Sequence, residues 1–220
     1  MTANHTRKTI FLQTVPIFLG LFVMSALVAG TLKYYFVSRH QQLNSTKTFV
    51  HQQKQVHNLL QLMQQRLMIA HDVARWKWNK KLPIEDRQRE QELITKVRQQ
   101  ARVYNIQTDT VTAFFQGQIE AGKQIQKADF QTWQKQGIKF FTNIPDLKKN
   151  IRPSLDKLNE EFFPVLAEVI PSLGCSSVRE SIQSRAPIIL KGDGIDRKVQ
   201  RTALAPLLEI KEGSCPKTSP

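Results

Sequence analysis

Only two of the 220 residues are cysteine and only nine are glycine. The first count excludes a disulfide-dense mini-protein, and neither cysteine lies in a CxxC or Cys/His cluster of the kind that holds zinc. The second excludes a collagen-like chain. The sequence also has no GxSxG elbow, no HExxH pair and no phosphate-binding glycine loop, so acyl-transfer, metalloprotease and nucleotide chemistry lack their usual supports. Its five histidines (His5, His40, His51, His57 and His71) form no i,i+4 pair, all precede the second helical segment and read as solvated. No cofactor or metal is therefore expected. No acidic residue precedes Asp72.

What is present is a chain with 40% hydrophobic and 23% charged residues. That is too apolar for disorder and too polar for a multi-span membrane protein. Lys and Arg number 32 against 18 Asp and Glu, a net charge of +14. Residues 1–71 carry seven basic residues and no acid, so the excess is shared between a purely basic N-terminal third and a mixed remainder.

Residues 1–40 read as an export segment. Arg7 and Lys8 precede an apolar run from about Phe11 to Leu32, which is long enough to span a bilayer, and Tyr34 and Tyr35 follow at a position suited to an interface. A cleaved signal and a retained anchor both fit, because small residues near Val28, Ala29 and Gly30 give no clean cleavage site. Either places the remainder outside the cytoplasm, periplasmic or secreted, with the membrane met only through this segment and an inner-membrane anchor as one of the two forms. Export and the scattered placement of the basic residues argue against nucleic-acid binding. In an exported domain, Cys175 and Cys215 read most simply as one disulfide, with two free thiols as the alternative. The bridge would close a loop worth about 4 kcal/mol in the chain-entropy estimate.

The exported part reads as all-α. Residues 41–170 form the main helical domain and residues 171–220 a helical extension tied by the cysteines. From Gln41 to Lys81 there is no Pro or Gly, and Leu59, Met63, Ala70, Val73 and Ala74 recur at helical steps. Pro83, followed by Glu85 and Asp86, predicts a helix start, continued to about Tyr104 with Leu93, Val97 and Ala101 on one face. Thr108 or Asp109 caps a third helix carrying Val111, Phe115, Ile119 and Trp133. A fourth pattern runs from Asp146 to about Ile170, interrupted by Pro153 and Pro164. Short helices are expected near 176–184 and 194–210.

Charged residues break into these stripes. Arg66 and Lys77 are eleven residues apart, about three turns or 16 Å along one helix face. Arg89 and Glu90 stand on the second helix, Gln118, Gly122 and Gln126 step by four on the third, and Arg152 lies three before Leu155 on the fourth. A buried charge without a partner costs several kcal/mol. Four cations (Arg66, Lys77, Arg89 and Arg152) meet only Asp86 and Glu90 as candidate partners. Either these side chains snorkel to the surface, or a small dianionic ligand in the bundle core, gripped by arginine forks, resolves the imbalance.

The stretch RLMIAHDVARWKWNKKLPIEDRQRE, followed by FFQGQIEAGKQIQ, resembles the all-helical AroQ-type chorismate mutases, in particular their exported subclass with a signal segment, a longer C-terminal region and a disulfide. The resemblance covers about Leu60 to Asn159. Its specific part is the ordered spacing of Arg66, Lys77, Asp86, Arg89 and Gln126. It implies that Arg66, Arg89 and Arg152 bind the carboxylates of chorismate. It further implies that Lys77 and Gln126 flank the ether oxygen, and that Asp86 and Glu90 lie near the hydroxyl, Asp86 through its backbone. Arg152 aligns only with a one-residue gap and stands beside Pro153. Gly122 departs from the family, which often has Ser or Thr there. In the exported subclass the pocket forms within one chain; a homodimer is also compatible with the family. The implied reaction is the rearrangement of chorismate to prephenate, which needs neither proton transfer nor cofactor. The competing reading is a membrane-anchored helical sensor or binding module for an anionic partner, without catalysis.

Overall fold

The computed structural model describes residues 16–210 and Cys215, with side chains described from Lys33 onward. Arg7, Lys8 and the start of the apolar run at Phe11 lie outside the described residues. Among the described residues, no helix is long and apolar enough to cross a membrane.

Among the described residues six α-helices follow one another: α1 (Pro16–Lys80), α2 (Arg87–Val103), α3 (Thr108–Lys135), α4 (Arg152–Val169), α5 (Ser176–Ile189) and α6 (Arg197–Leu208). The all-α expectation holds. The chain divides into two compact units, Met1–Thr48 and Phe49–Pro220. In the first, α1 exposes Tyr34, Tyr35, Phe36, Val37 and Leu43. The second contains the bundle and the candidate site. The first helix already runs from Pro16, well before Gln41, and passes through Gly20 and Gly30, since an isolated glycine costs a helix only about 1 kcal/mol.

Each long helix ends for a local reason. Beyond α1, Lys81 takes a left-handed conformation (φ 54°), Leu82 N–H donates to Lys77 O at 2.9 Å and Lys81 N–H donates to Trp78 O at 3.1 Å, the paired bonds of a Schellman stop. Asn105 (φ 53°) after α2 and Gly137 (φ 69°) after α3 repeat the device, with Ile106 bonded to Ala101 and Ile138 to Trp133. The second helix starts later than the sequence suggests. Pro83 lies in a loop, and Asp86 is the N-cap, its carboxylate accepting from Arg89 N–H at 3.2 Å. An Asp that satisfies an orphan N–H outranks a Pro that merely tolerates the first turn.

The fourth helical pattern is split. Asp146 caps a π-helical turn, Leu147–Ile151, which leads into α4, where Pro153 occupies the first turn. A π turn takes up about one more residue than an α turn, and this one directly precedes Arg152. Leu147 and Ile151 of this turn pack on Val73 of α1 in a small satellite core.

The main core joins α1 through α6. Phe114, Phe115 and Phe162 are fully buried and meet edge to face at 5.1–5.7 Å, each such pair worth about 1 kcal/mol beyond its burial. The extension folds against α3. Gly117 is where α6 comes closest: a Cβ there would stand 2.9 Å from Pro206 Cγ and 3.1 Å from Thr202 O. Gln118 Nε2 donates to Ala203 O at 3.0 Å and Gln124 Nε2 to Thr202 Oγ1 at 2.9 Å. Cys175 and Cys215 are disulfide-bonded, as expected.

The histidines are not all solvated. His71 is 7% exposed. Its Nδ1 bonds Asp129 Oδ2 at 2.7 Å and its Nε2 bonds Asp193 O at 2.9 Å. Both partners accept, so the ring donates from both nitrogens and is an imidazolium. The hydrogen bond it donates to Asp129 raises its pKa above the ordinary histidine value, against the effect of burial. The sequence conceals this because Asp129 and Asp193 come from distant parts of the chain.

Candidate active site

The seven site residues expected from the sequence (Arg66, Lys77, Asp86, Arg89, Glu90, Gln126 and Arg152) all line one cleft among α1, α2, α3 and the start of α4. Every one lies in the second compact unit.

Arg66 sits on the buried face of α1 and is 8% exposed. Its Nε donates to Asn159 Oδ1 at 3.2 Å and its Nη1 to the Gln118 carbonyl at 3.0 Å. Both acceptors are neutral, and among the described residues no carboxylate pairs with it. Burial, assisted by the nearby Arg89 cation, pulls its pKa down to about 10, so it remains charged at neutral pH. Three turns on, Lys77 is 6% exposed and its ammonium donates to Ile84 O, tying α1 to the loop before α2. Burial is the main cause holding Lys77 below the usual lysine range. Arg152 and Lys123 add to that effect, and Asp86 and Glu90 oppose it.

The other two arginines have standing partners. Arg152 Nη2 bonds Asp86 Oδ2 at 2.8 Å. Arg89 Nη2 pairs with Asp156. The Asp86 carboxylate is thus committed to Arg152 and to the cap of α2, while its backbone carbonyl accepts from Glu90 N–H at 2.9 Å and keeps one lone pair for a ligand. The Asp86 N–H itself meets Glu90 Oε1 at 3.3 Å. Gln126, 8% exposed on α3, has its Oε1 buried without a hydrogen-bond partner among the described residues. The side-chain oxygens of Gln118 and Gln124 are buried without a partner as well, and of the three glutamines only Gln126 lines the cleft. At Gly122, one turn before it, an added Cβ would meet only Ala70 Cβ at 3.9 Å, so that position leaves open space.

Three participants escaped the sequence. Asp156 lies four residues after Arg152 on α4, and its role appears only because α2 brings Arg89 to it. Asn159 is 5% exposed and orients Arg66. Lys123 lines the cleft and bonds Glu90 Oε2 at 3.1 Å and Glu120 Oε1 at 2.6 Å. A lysine one residue from Gly122 was the available signal, but next to a stripe residue it looks like an ordinary solvated charge. The count of four cations against two anions becomes five cations against Asp86, Glu90, Asp156 and Glu120.

A half-buried cleft with convergent cations, two neutral amides and two carboxylates already tied to protein cations suits an enzyme that isomerises an anion by shape and electrostatics. The comparisons agree. The sequence pattern of the family "Chorismate mutase type II" matches residues 57–127. The chain is 32% identical to a chorismate mutase of Burkholderia thailandensis of known structure, with a TM-score of 0.60 over 70% of this chain and 98% of that one. It is 30% identical to that of Burkholderia phymatum, with a TM-score of 0.62 over 71% and 97%. It is also 29% identical to the secreted chorismate mutase of Mycobacterium tuberculosis over 67% of this chain and 73% of that protein. The chain belongs to the chorismate mutase type II family. It is an isomerase that converts chorismate to prephenate, and family membership favours this enzyme over a non-catalytic sensor.

Proposed function

We propose that chorismate binds in this cleft with its two carboxylates held by Arg66, Arg89 and Arg152, its ether oxygen between Lys77 and Gln126, and its hydroxyl near Glu90 and the Asp86 backbone. The observation that carries this reading is Arg66. It is a buried guanidinium whose partners are a neutral amide and a backbone carbonyl, and burying a cation without a counter-charge is costly unless a ligand supplies one. A substrate carboxylate supplies it.

The rearrangement breaks the ether C–O bond while a C–C bond forms between the enolpyruvyl methylene and the ring. Three electron pairs move in one cycle and no proton is transferred. Two effects then carry the rate. Arginines on different helices hold the substrate folded with its reacting carbons in contact, an orientation effect. As the C–O bond opens, negative charge grows on the ether oxygen, and Lys77 and the Gln126 amide stabilise it more in the transition state than in the ground state. Gln126 does not titrate, so it donates at any pH at which the protein is folded.

The test is disappearance of chorismate absorbance with the purified protein, followed by the Arg66→Gln and Gln126→Ala variants. Variants that fold and turn over like the wild type would refute the placement.

We further propose that the enzyme acts outside the cytoplasm, in the periplasm or secreted. The basic start and apolar run of residues 1–40, the disulfide and the relatives named as secreted support this. Cell fractionation with mass spectrometry of the native N-terminus tests it; an intact Met1 start in the cytoplasmic fraction would count against export.

A further inference from the structure

Glu90 poses a difficulty for the reading above. The cleft must accept a dianion, yet Glu90 presents a carboxylate to it. Asp86 has the same sign but is already paired with Arg152 at 2.8 Å. The group that answers Glu90 is Lys123, which reaches across from α3 to α2 and bonds Glu90 Oε2 at 3.1 Å. The other oxygen, Oε1, receives the Asp86 N–H at 3.3 Å. Both oxygens are therefore held and the plane of the carboxylate is fixed, while an ionised carboxylate with about four acceptor sites keeps lone pairs free for an incoming hydroxyl.

We propose that Lys123 is a positioning residue of this enzyme: it orients Glu90 as the acceptor for the substrate hydroxyl and cancels the charge that would otherwise repel the substrate's carboxylates. The inference rests on the placement of the hydroxyl near Glu90.

Three features support it. The Lys123 side chain is only 18% exposed and that of Glu90 27%, so the pair is sheltered and screened less than a surface ion pair. Glu120, one turn earlier on α3, bonds the same ammonium at 2.6 Å and steadies it from the rim. Burial works against the charge on Lys123, and the hydrogen bonds to Glu120 and Glu90 outweigh it and raise its pKa. Lys123 thus stays cationic while spending two of its three donors inside the protein.

The test is a set of steady-state measurements on chorismate. Lys123→Met is expected to raise KM about tenfold with kcat within threefold of wild type, since an uncancelled like charge weakens ground-state and transition-state binding alike. Lys123→Arg, which keeps the cation, is expected to restore KM to within about threefold. The decisive variant is the double mutant. Adding Glu90→Gln to Lys123→Met removes the exposed anion and is expected to lower KM again, whereas two merely structural losses would add. Lys123→Gln, with a donor but no charge, is expected to follow Lys123→Met and serves in its place if that variant does not fold. A Lys123→Met KM within twofold of wild type, or a double mutant worse than the single, overturns the inference. Glu90→Ala separates this from the broader reading. If that variant loses kcat/KM while Lys123→Met does not, only Lys123 is misassigned. If Glu90→Ala is neutral, the hydroxyl placement itself fails.

Discussion

Replacing Lys77 with alanine removes the one cation assigned to the breaking bond. An ammonium at hydrogen-bond distance, about 3 Å, from a full negative charge gains about 5.5 kcal/mol at an effective dielectric of 20. If about half a charge has developed on the ether oxygen at the transition state, the gain is about 2.8 kcal/mol, or about a hundredfold in kcat. That agrees with the loss of a single oxyanion donor elsewhere, about 100- to 1,000-fold. Lys77 also bonds Ile84 O, so the variant loosens the loop that carries Asp86. Thermal unfolding of Lys77→Ala separates that structural cost from the catalytic one. The pH profile gives a second handle. Activity that needs the ammonium is full below the Lys77 pKa and lost as pH rises through it. Because burial lowers that pKa from its ordinary 10.5, the alkaline limb of kcat/KM is expected below the pH at which a solvated lysine titrates. Stopped or continuous loss of chorismate absorbance measures both. Turnover by a folded Lys77→Ala within threefold of wild type would refute the role, and so would an alkaline limb unchanged in the variant.

Arg66→Gln is expected to raise KM at least tenfold, because charged hydrogen bonds to a carboxylate are worth about 1.5–3 kcal/mol; substrate titration at constant enzyme reads this directly. His71 predicts the pH dependence of stability. Its pKa in the folded protein is raised, so its contribution is fully present below about pH 6.5 and is lost as pH rises through the folded value. Urea unfolding across a pH series should show that decline, flattened in Asp129→Asn; a rise over the same range would contradict it. Gly117→Val places a side chain against Pro206 and Thr202 and is expected to cost about 1–3 kcal/mol by overpacking, read as a lower urea midpoint. An unchanged midpoint would mean that α6 does not pack as described.

The helices and most of the site were legible because both follow from spacing along single segments. Arg66 and Lys77 share a face of α1 whatever surrounds it, and Leu93, Val97 and Ala101 mark the inner side of α2. Asp156, Asn159 and Lys123 were not legible, since each matters only through a residue on another helix, 33 to 93 positions away. His71 failed for the same reason: nothing near it in the chain shows that Asp129 and Asp193 will enclose it. The start of α2 was misplaced because Pro83 and Asp86 both signal a beginning, and only the cap hydrogen bond to Arg89 N–H decides between them. The π turn before Arg152 was not legible either, since helical spacing along the chain does not distinguish a π turn from an α turn.

Gln118 faces two ways. Its backbone carbonyl receives Arg66, and its side chain reaches Ala203 on α6. The last helix is therefore wired, through one glutamine, to the arginine proposed to hold a substrate carboxylate. A chain cut before α6 would uncover the back of α3 and free the strut behind Arg66, so on the proposed placement of the substrate the tail braces the site as well as the scaffold.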